Sequence, residues 1–303
     1  MPSPIKRIAI FAHFDSRNRI DNYVKYYIEG LKKVADTIIF VSDGYLFDSE
    51  QLKIKHVTDK IIAARHGEYD FGSYKRGFLY AKEYGLLEGV EEVIFANDSC
   101  YGPIYPFNQM FNLMSFVGAD FWGITQNKFA IKKVGGQYKT DMNAHLQSYF
   151  LVLKKQVFLS DIFCQFIQNI KKEAYKEDII INYEINLTRM LVDHGYQYDF
   201  YIKNFLDTNN PAISCWDKII VEEKGPLLKT SVLQLKNIDI LYPFNWGALL
   251  KTRNPLLFNT IHHHLKQCKN RKKIMYKNGF VVLTYFIKKI IRLERIFQEK
   301  KRV

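Results

Sequence analysis

The residues best suited to chemistry in this chain lie between positions 66 and 103. A polar turn punctuated by glycine precedes a helix that carries Lys75 and Arg76, and a buried-type strand then delivers Asn97-Asp98-Ser99 at its carboxyl edge. Open α/β sheets build nucleotide sites from an acidic residue at such an edge and a polar helix start nearby. The pattern predicts a nucleotide-binding site, and our hypothesis is a sugar-nucleotide-dependent glycosyltransferase. The alternative is an ordinary strand–helix–strand unit whose strand happens to end in Asp.

Sugar transfer requires that the donor diphosphate be held and its charge neutralised. Carboxylates at strand edges can bind ribose or sugar hydroxyls, glycine allows close backbone approach, and Lys or Arg can reach phosphate. The residues predicted on these grounds to bind the donor are Asp15, Asp43, Asp70, Gly72, Ser73, Lys75, Arg76, Asn97 and Asp98. For Asp15 and Asp43, a role in capping a helix is an equal alternative.

Asp98 is also the predicted metal ligand. Hard cations such as Mg²⁺ take oxygen ligands, and one carboxylate plus substrate phosphates can suffice. Asn97 and Ser99 flank Asp98 without adding a second carboxylate, so the sequence leaves dependence on Mg²⁺ or Mn²⁺ open. The three adjacent histidines at 262–264 cannot all face one ion from a helix and do not indicate a metal site.

Glu184 and Asp98 are the predicted catalytic residues, with Glu184 as the general base. A carboxylate at a helix start beside apolar residues can lie near an acceptor hydroxyl with a raised pKa. The alternative is a Glu that merely complements the helix dipole. The side chains predicted by position to line the acceptor side are Tyr101, Trp122, His145 and Tyr149.

Alternating strands and helices must position these residues. Apolar runs predict strands at 8–12, 37–41, 60–64 and 93–96, and periodicity predicts a helix at 22–34 and another from Asp70 to about Gly85. Further elements are predicted as a helix at 107–114, a strand at 119–124, a polar connection at 127–141, a core strand at 145–153, and helices at 156–173 and 184–194. The alternation indicates an α/β fold with a mostly parallel sheet flanked by helices.

Composition and charge bound the class of protein. At 303 residues the chain can bury a full core, and much of its net charge of +13 lies near the C-terminal end. Residues 266–303 carry 13 Lys and Arg against two acids, which does not indicate nucleic-acid binding over the whole surface. Four widely spaced cysteines predict a reducing compartment, and we expect neither a signal peptide nor a membrane span.

Residues 273–297 have the pattern of an amphipathic helix. Aromatic and aliphatic side chains can share one broad helical face, with Lys and Arg opposite or beside it. Such helices are typical of binding to anionic lipid surfaces. The alternatives are packing on the domain or on a second subunit, and nucleic-acid binding through the tail. We predict one domain over residues 1–264 and a basic amphipathic helical tail over residues 265–303.

Eight segments occur in an order that matches a known family. They are His13-Phe14-Asp15, YDFGSYKRG at 69–77, NDSCYGP at 97–103, DFWG at 120–123, HLQSYF at 145–150, Tyr183-Glu184 with Leu187-Thr188, Asn210-Pro211 with Trp216, and GPLLK at 225–229. Over residues 7–230 the chain resembles the rhamnan synthesis F family of bacterial polysaccharide glycosyltransferases, whose members are similar to nucleotide-sugar enzymes of the Rossmann-like GT-A fold.

The resemblance implies an inverting glycosyltransferase that moves a sugar, rhamnose in the namesake branch, to a growing cell-surface polysaccharide such as lipopolysaccharide or capsule. It implies that Asp98 stands where GT-A enzymes carry an Asp-x-Asp motif, and Glu184 where inverting members carry a catalytic acidic residue. Asn97 and Ser99 depart from that motif, which bears on the metal role.

The expected partners are a nucleotide sugar, a lipid-linked glycan acceptor and the membrane surface through residues 273–297, with no nucleic acid. The expected location is the cytoplasm, peripheral on the inner face of the bacterial cell membrane. The alternative function is that of a non-catalytic sugar-nucleotide-binding or assembly protein of the same fold.

Overall fold

A seven-stranded, mostly parallel sheet forms the centre of the protein in the computed structural model. The structure describes residues 5–205, 208–234 and 246–276, and their side chains as far as residue 268. The strands are β1 Arg7–His13, β2 Thr37–Ser42, β3 Lys60–Ala63, β4 Glu92–Asn97, β5 Cys100–Tyr101, β6 Phe121–Gly123, β7 Gln126–Val134, β8 Gln137–Leu146, β9 Phe150–Lys154, β10 Tyr198–Phe200 and β11 Leu228–Lys229. The central sheet has the order β10-β6-β9-β4-β1-β2-β3. In it β9 runs antiparallel to β4 and β6, and the other neighbouring pairs are parallel.

Helices lie between most of the strands. They are α1 Asn22–Leu31, α2 Asp48–Gln51, α3 Tyr69–Glu83, α4 Phe107–Met114, α5 Lys155–Phe158, α6 Asp161–Gln168, α7 Lys176–Ile179, α8 Asn186–Asp193, α9 Pro211–Ser214, α10 Trp216–Val221, α11 Thr230–Leu233, α12 Trp246–Arg253 and α13 Pro255–Tyr276. A π-helical segment, Ile180–Ile185, joins α7 to α8. Two small antiparallel pairs, β5 with β11 and β7 with β8, lie outside the central sheet.

The core forms on both faces of the sheet, because successive side chains of a strand point to opposite sides. On one face Phe11 of β1 packs on Tyr27 of α1, with ring centroids 5.1 Å apart. On the other face Ile10 of β1 belongs to the cluster that includes Phe78 of α3. The predicted α/β class, a mostly parallel sheet flanked by helices, is therefore confirmed.

The polar connection predicted at 127–141 is wrong, because this stretch belongs to the long hairpin of β7 and β8. Gly135 and Gly136 have φ values of 57° and 79°, the left-handed conformation that a two-residue hairpin turn requires. Most of the hairpin is exposed or half-buried on both faces, so its sequence lacks the apolar–polar alternation that signals a strand.

Two other predicted elements are divided in the structure. The core strand predicted at 145–153 is the end of β8 and most of β9, separated by a turn after Leu146. The helix predicted at 156–173 is α5 and α6, because Ser160 accepts a hydrogen bond from the N–H of Phe163 and begins a new helix. The helix predicted at 184–194 begins inside the π-helical segment and continues as α8.

The predicted tail lies largely outside the described residues. Helix α13 crosses the predicted boundary at residue 264 and is described to Tyr276, and residues 277–303 lie beyond that part. The division into domain and tail, and the membrane contact of residues 273–297, therefore stay predictions. None of the helices in the described ranges has the length and apolar character needed to cross a lipid bilayer.

We expect Gly77→Ala to destabilise the fold, since Gly77 lets α3 approach the sheet closely. A Cβ at this position would lie 2.4 Å from Cγ2 of Ile10 and 3.3 Å from Cγ2 of Val41. Overpacking costs about 1–3 kcal/mol, which exceeds the roughly 1 kcal/mol by which Ala favours a helix over Gly. The free energy of unfolding in urea measures the loss. The control is Gly118→Ala, where a Cβ would meet no atom within 4 Å, and equal effects of the two variants would contradict the prediction.

Candidate functional site

A cleft of about 1620 Å³ lies at the carboxyl edge of the sheet. Successive parallel strands end at this edge, so the residues that follow them meet there. The lining residues that end or follow β1–β4 are His13, Phe14, Asp15, Asp43, Arg65, His66, Asp98 and Ser99. Others come from the start of α3, from Lys172 and Lys176, and from α13. A cavity therefore lies at the strand edge where the sequence predicts a site, and its use for donor binding stays a prediction.

Asp98 is held at the end of β4 by the neighbouring strand. Its Oδ2 accepts a hydrogen bond from the backbone N–H of Phe14 at 2.9 Å, and Nε2 of His13 lies 3.9 Å from the same oxygen. Burial raises the pKa of Asp98 well above its ordinary value, and the nearby carboxylates of Asp70 and Asp15 raise it further, against the opposing effect of the Phe14 hydrogen bond. A cation or a hydroxyl donor at this carboxyl would favour its ionised form.

Asp70, in the first turn of α3, is joined directly to the end of β4. Nδ2 of Asn97 donates a hydrogen bond of 2.7 Å to Oδ2 of Asp70. The other end of the amide, Oδ1 of Asn97, accepts hydrogen bonds from the backbone N–H and the hydroxyl of Ser99 at 3.1 and 2.5 Å. The amide orientation is therefore set from both sides, and Asp70 is placed beside the strand edge.

The environment of Asp70 raises the pKa of its carboxyl to about 6. Burial is the main cause, and the negative charge of Glu184 adds to it. The positive charges of Lys229 and Lys176 and the hydrogen bond from Asn97 oppose this rise. Asp70 can therefore change its protonation state close to neutral pH.

Glu184 lies in the π-helical segment, a type of helix that occurs frequently at functional sites. Its Oε2 accepts hydrogen bonds from the backbone N–H of Ser148 at 3.0 Å and from the Ser148 hydroxyl. Its Oε1 lies 3.6 Å from Nε2 of His145. Burial opposes ionisation, but His145 and Ser148 outweigh it and lower the pKa of Glu184 to about 2. This is the reverse of the raised pKa expected from the sequence.

Asp43 organises the turn before α3. Its carboxylate accepts hydrogen bonds from the backbone N–H groups of His66 at 2.7 Å and Gly67 at 3.0 Å, and Nη1 of Arg65 lies 3.6 Å away. Burial opposes ionisation of Asp43, but these hydrogen bonds and charges outweigh it and lower its pKa. The carboxylate lines the cleft and at the same time anchors the turn.

The predicted donor-binding residues of α3 hold the same turn. Nη1 and Nη2 of Arg76 donate to the two carboxylate oxygens of Glu68 at 2.8 and 3.2 Å. The hydroxyl of Ser73 is hydrogen-bonded to Nε2 of His66 at 3.0 Å. A Cβ at Gly72 would lie 2.3 Å from Cβ of Glu68, so the glycine allows the turn to pack on the helix. Of these three predicted residues, only Ser73 lines the cleft.

The sequence predicted Lys75 as the lysine of the donor site, but other lysines line the cleft. Nζ of Lys75 donates to the backbone carbonyl of Ile170 at 2.7 Å, outside the cleft. Lys172 and Lys176 line the cleft instead, and Lys229 acts on the charge of Asp70. Lys229 could have been found, because it ends the GPLLK segment. Lys172 precedes α7 and Lys176 begins it, in a charged stretch without apolar periodicity that gives no such signal.

Two of the four residues predicted for the acceptor side are buried in protein contacts. The hydroxyl of Tyr101 lies 2.8 Å from Nδ1 of His264, with which it is hydrogen-bonded. Trp122 is 1% exposed and packs on Phe111 with ring centroids 5.1 Å apart. The structure therefore places Trp122 in the core, and Tyr101 between the sheet edge and α13.

The other two predicted acceptor residues support charged groups of the site. The ring of Tyr149 lies 4.1 Å below Nζ of Lys229, and its hydroxyl is 2.8 Å from Oγ1 of Thr125. The ring of His145 faces Glu184, as described above. Within the described part of the chain, none of the four predicted residues lines the cleft.

The remaining predicted donor ligand, Asp15, is on the cleft wall. Its Oδ1 accepts a hydrogen bond of 2.8 Å from the backbone N–H of Arg17. No group of three or more His, Cys, Asp or Glu side chains arranged to hold a metal ion occurs among the described residues. Asp98 as a metal ligand stays a prediction.

Comparison with known proteins places the chain among polysaccharide-related sequences. The sequence model of the family described as "Rhamnan synthesis protein F" matches residues 38–301. The chain is 26% identical over 187 residues to "Virulence protein VirA" of Vibrio anguillarum (strain ATCC 68554 / 775), covering 60% of this chain and 55% of that protein. The chain thus spans about half the length of this curated relative.

Solved structures match over much of the chain at low identity. One is a 4-diphosphocytidyl-2C-methyl-D-erythritol synthase from Anaerococcus prevotii, with a TM-score of 0.42, 12% identity, and coverage of 68% of this chain and 93% of that one. Another is the mannosyltransferase Ktr4p from S. cerevisiae in complex with GDP, with a TM-score of 0.36, 9% identity, and coverage of 61% and 66%. Likeness at this level does not specify an activity.

We expect Asp70→Asn to raise the free energy of unfolding at pH 7.5. The pKa of Asp70 rises from 3.8 to about 6 on folding, so the folded state loses stability as pH rises through this window. The neutral amide avoids that loss and keeps an acceptor for Asn97. The gain should be on the order of 3 kcal/mol at pH 7.5 and should vanish below pH 3.8.

The control for this measurement is Asp43→Asn, for which we expect a change in the free energy of unfolding of the opposite sign. Folding lowers the pKa of Asp43, so its charge stabilises the fold above its ordinary pKa and the variant should be destabilised at pH 7.5. Urea unfolding of both variants between pH 3.5 and 8 measures the two effects. A loss of stability at pH 7.5 in Asp70→Asn would contradict the prediction.

Proposed function

The chain belongs to the rhamnan synthesis protein F family, and from this membership we propose that it is a glycosyltransferase of polysaccharide synthesis that uses a nucleoside diphosphate sugar. The family description favours rhamnose as the transferred sugar. The observation that carries the proposal is the pair Asp98 and Asp70, which lie together at the carboxyl edge of a parallel sheet in a cleft of about 1620 Å³. A cleft of this size can admit a donor and part of an acceptor.

The donor diphosphate is proposed to lie on the lysine side of the cleft. A diphosphate needs cations or N–H groups to neutralise it, and Lys172 and Lys176 line the cavity. Lys229 contributes a third positive charge near Asp70. We do not assign this role to Lys75 or Arg76, because both are engaged elsewhere.

A divalent cation would fit this site only with help from the donor. Asp98 offers a carboxylate, and Mg²⁺ or Mn²⁺ can bind one carboxylate together with substrate phosphates. In that case the cation would favour the charged form of Asp98, whose pKa is raised by burial. The cation would supply charge neutralisation of the leaving diphosphate.

Asp70 is proposed as the general base. Glu184 is proposed to act on it electrostatically, by raising the pKa of the Asp70 carboxyl. Asp70 lines the cleft and titrates near neutral pH, where a base is most effective. Glu184 has one oxygen hydrogen-bonded to Ser148 and the other facing His145. Its fixed negative charge raises the pKa of Asp70.

The acceptor is proposed to be a growing glycan, linked to a lipid at the cytoplasmic face of the membrane. The support is the amphipathic basic pattern of residues 273–297, of which 277–297 lie outside the described part. Sedimentation of the full chain with anionic vesicles would measure this contact, and binding to neutral vesicles alone would oppose it.

The full chain should bind its donor and turn it over. A ligand that binds only the folded state raises its stability by about 2.7 kcal/mol at a concentration of 100 times Kd. Melting temperatures in a series of nucleoside diphosphates and their sugars, with and without Mg²⁺ or Mn²⁺, identify the donor. Release of nucleoside diphosphate measures turnover. Binding without release would favour the non-catalytic alternative, and no binding by any donor would contradict the proposal.

The lysine side of the cleft can be tested with matched variants. Lys172→Gln and Lys176→Gln should each weaken donor binding about 10-fold, which is close to 1.4 kcal/mol. Lys75→Gln removes the same charge outside the cleft and should leave Kd within about two-fold. Equal losses in all three variants would contradict this placement of the diphosphate.

The assignment of the base is tested by pH–rate profiles. Asp70→Asn should lower kcat by about 10²–10⁴. Glu184→Gln should keep more activity, and the acid limb of its kcat/KM profile should move to lower pH, because loss of the negative charge lowers the pKa of Asp70. If Glu184 is itself the base, as the sequence predicted, Glu184→Gln will show the larger loss and Asp70→Asn the smaller one.

A further inference from the structure

Tyr69, the first residue of α3, combines a strained backbone with an exposed ring in the cleft. Its φ is 56°, in the left-handed region that costs a residue with a Cβ about 1–2 kcal/mol. The residue is 47% exposed, although tyrosine has a large apolar surface that burial would favour. The residue lines the cleft and directly precedes Asp70. Strain of this kind persists only where the surroundings over-determine the backbone.

The surroundings of Tyr69 do over-determine it. On one side Asp43 accepts hydrogen bonds from two successive backbone N–H groups of the turn, those of His66 and Gly67. On the other side Arg76 holds the Glu68 carboxylate with two hydrogen bonds, and the N–H of Gly72 donates to the Glu68 carbonyl at 3.1 Å. The turn is thus fixed from the sheet and from the helix.

The ring of Tyr69 has the features of a sugar-binding platform. An aromatic face is negative and attracts the weakly positive C–H groups of one face of a pyranose ring. The adjacent Asp70 provides carboxylate oxygens that accept hydrogen bonds from sugar hydroxyls. Phe14, another exposed ring of the cleft, already carries the Arg65 guanidinium 4.8 Å above it, which leaves that face unavailable for a sugar.

We propose that Tyr69 is a sugar-stacking residue, held in a strained backbone conformation so that its ring supports a pyranose whose hydroxyls reach Asp70. This inference rests on the proposed function and deepens it. The pyranose is either the sugar of the donor or the terminal sugar of the acceptor, and the chemistry at the ring is the same for both.

Three variants of the full chain test the proposal. Tyr69→Phe keeps the stacking ring, Tyr69→Ala removes it and keeps the backbone strain, and Tyr69→Gly removes both. The melting temperature should therefore be higher for Gly than for Ala. The kcat/KM for transfer should fall about 10-fold or more for Ala and Gly, and should stay within about three-fold for Phe.

The source of the sugar follows from separate binding measurements. Calorimetric titration with the nucleoside diphosphate alone, and then with the nucleoside diphosphate sugar, gives the contribution of the donor sugar to affinity. If Tyr69 stacks on that sugar, the contribution of the sugar to affinity disappears in the Tyr69→Ala and Tyr69→Gly variants. Their affinity for the nucleoside diphosphate alone is then unchanged. If it stacks on the acceptor, donor affinity and donor hydrolysis stay at wild-type values and only KM for the acceptor rises.

Two results would overturn the proposal, and they differ from failure of the proposed function. One is a Tyr69→Ala or Tyr69→Gly protein with wild-type donor increment and wild-type acceptor KM. The other is a melting temperature that is no higher for Tyr69→Gly than for Tyr69→Ala. This result would contradict the claim that the backbone at Tyr69 is strained. A wild-type chain that binds no nucleoside diphosphate at all would instead reject the glycosyltransferase, and the sugar platform with it.

Discussion

The hydrogen bond from Nδ2 of Asn97 to Oδ2 of Asp70, 2.7 Å long, joins the sheet edge to the start of α3, and the site is arranged around it. It brings the strand that ends at Asp98 next to the helix that begins at Tyr69. An acid at position 97 would place a carboxylate against Asp70 instead of an N–H donor, and like charges this close cannot both ionise. The amide of Asn97 therefore allows the Asp70 carboxyl to lie against the end of β4, next to Asp98.

Several features of the site cost stability and are stabilised from outside it. Burial and neighbouring acids disfavour the charged forms of Asp98 and Asp70, and Tyr69 adds backbone strain. Lys229 and Lys176 reduce the cost at Asp70, and the hydrogen bonds to Asp43 and Glu68 fix the turn. Buried charge and backbone strain that lower folding stability are concentrated at functional sites. A site shaped to bind a ligand is less stable without the ligand than the same region would be if it were optimised for folding alone.

The glycine-rich motif of residues 66–77 has a structural role that its composition does not reveal. Gly72 and Arg76, which the sequence suggested as donor ligands, pack and bond to Glu68 within the protein. Gly72 and Arg76 do not line the cleft themselves, but their contacts with Glu68 help to fix the positions of Tyr69 and Asp70, which do. In the proposed function, charge neutralisation comes from lysines in two other parts of the chain. These are Lys172 and Lys176, before and at the start of α7, and Lys229, at the end of β11.

The sequence by itself determined the α/β class, the strands that precede Asp15, Asp43 and Asp98, and the presence of Asp70 near that edge. These follow from local patterns, since a buried run predicts a strand and parallel strands end together. Tertiary structure alone decided which way each polar side chain faces, so Lys75 bonds to Ile170 outside the cleft and Trp122 enters the core. It also decided the charge states of Asp70 and Glu184, because a pKa depends on burial and on neighbours that are distant in the chain, here Lys229, Ser148 and His145.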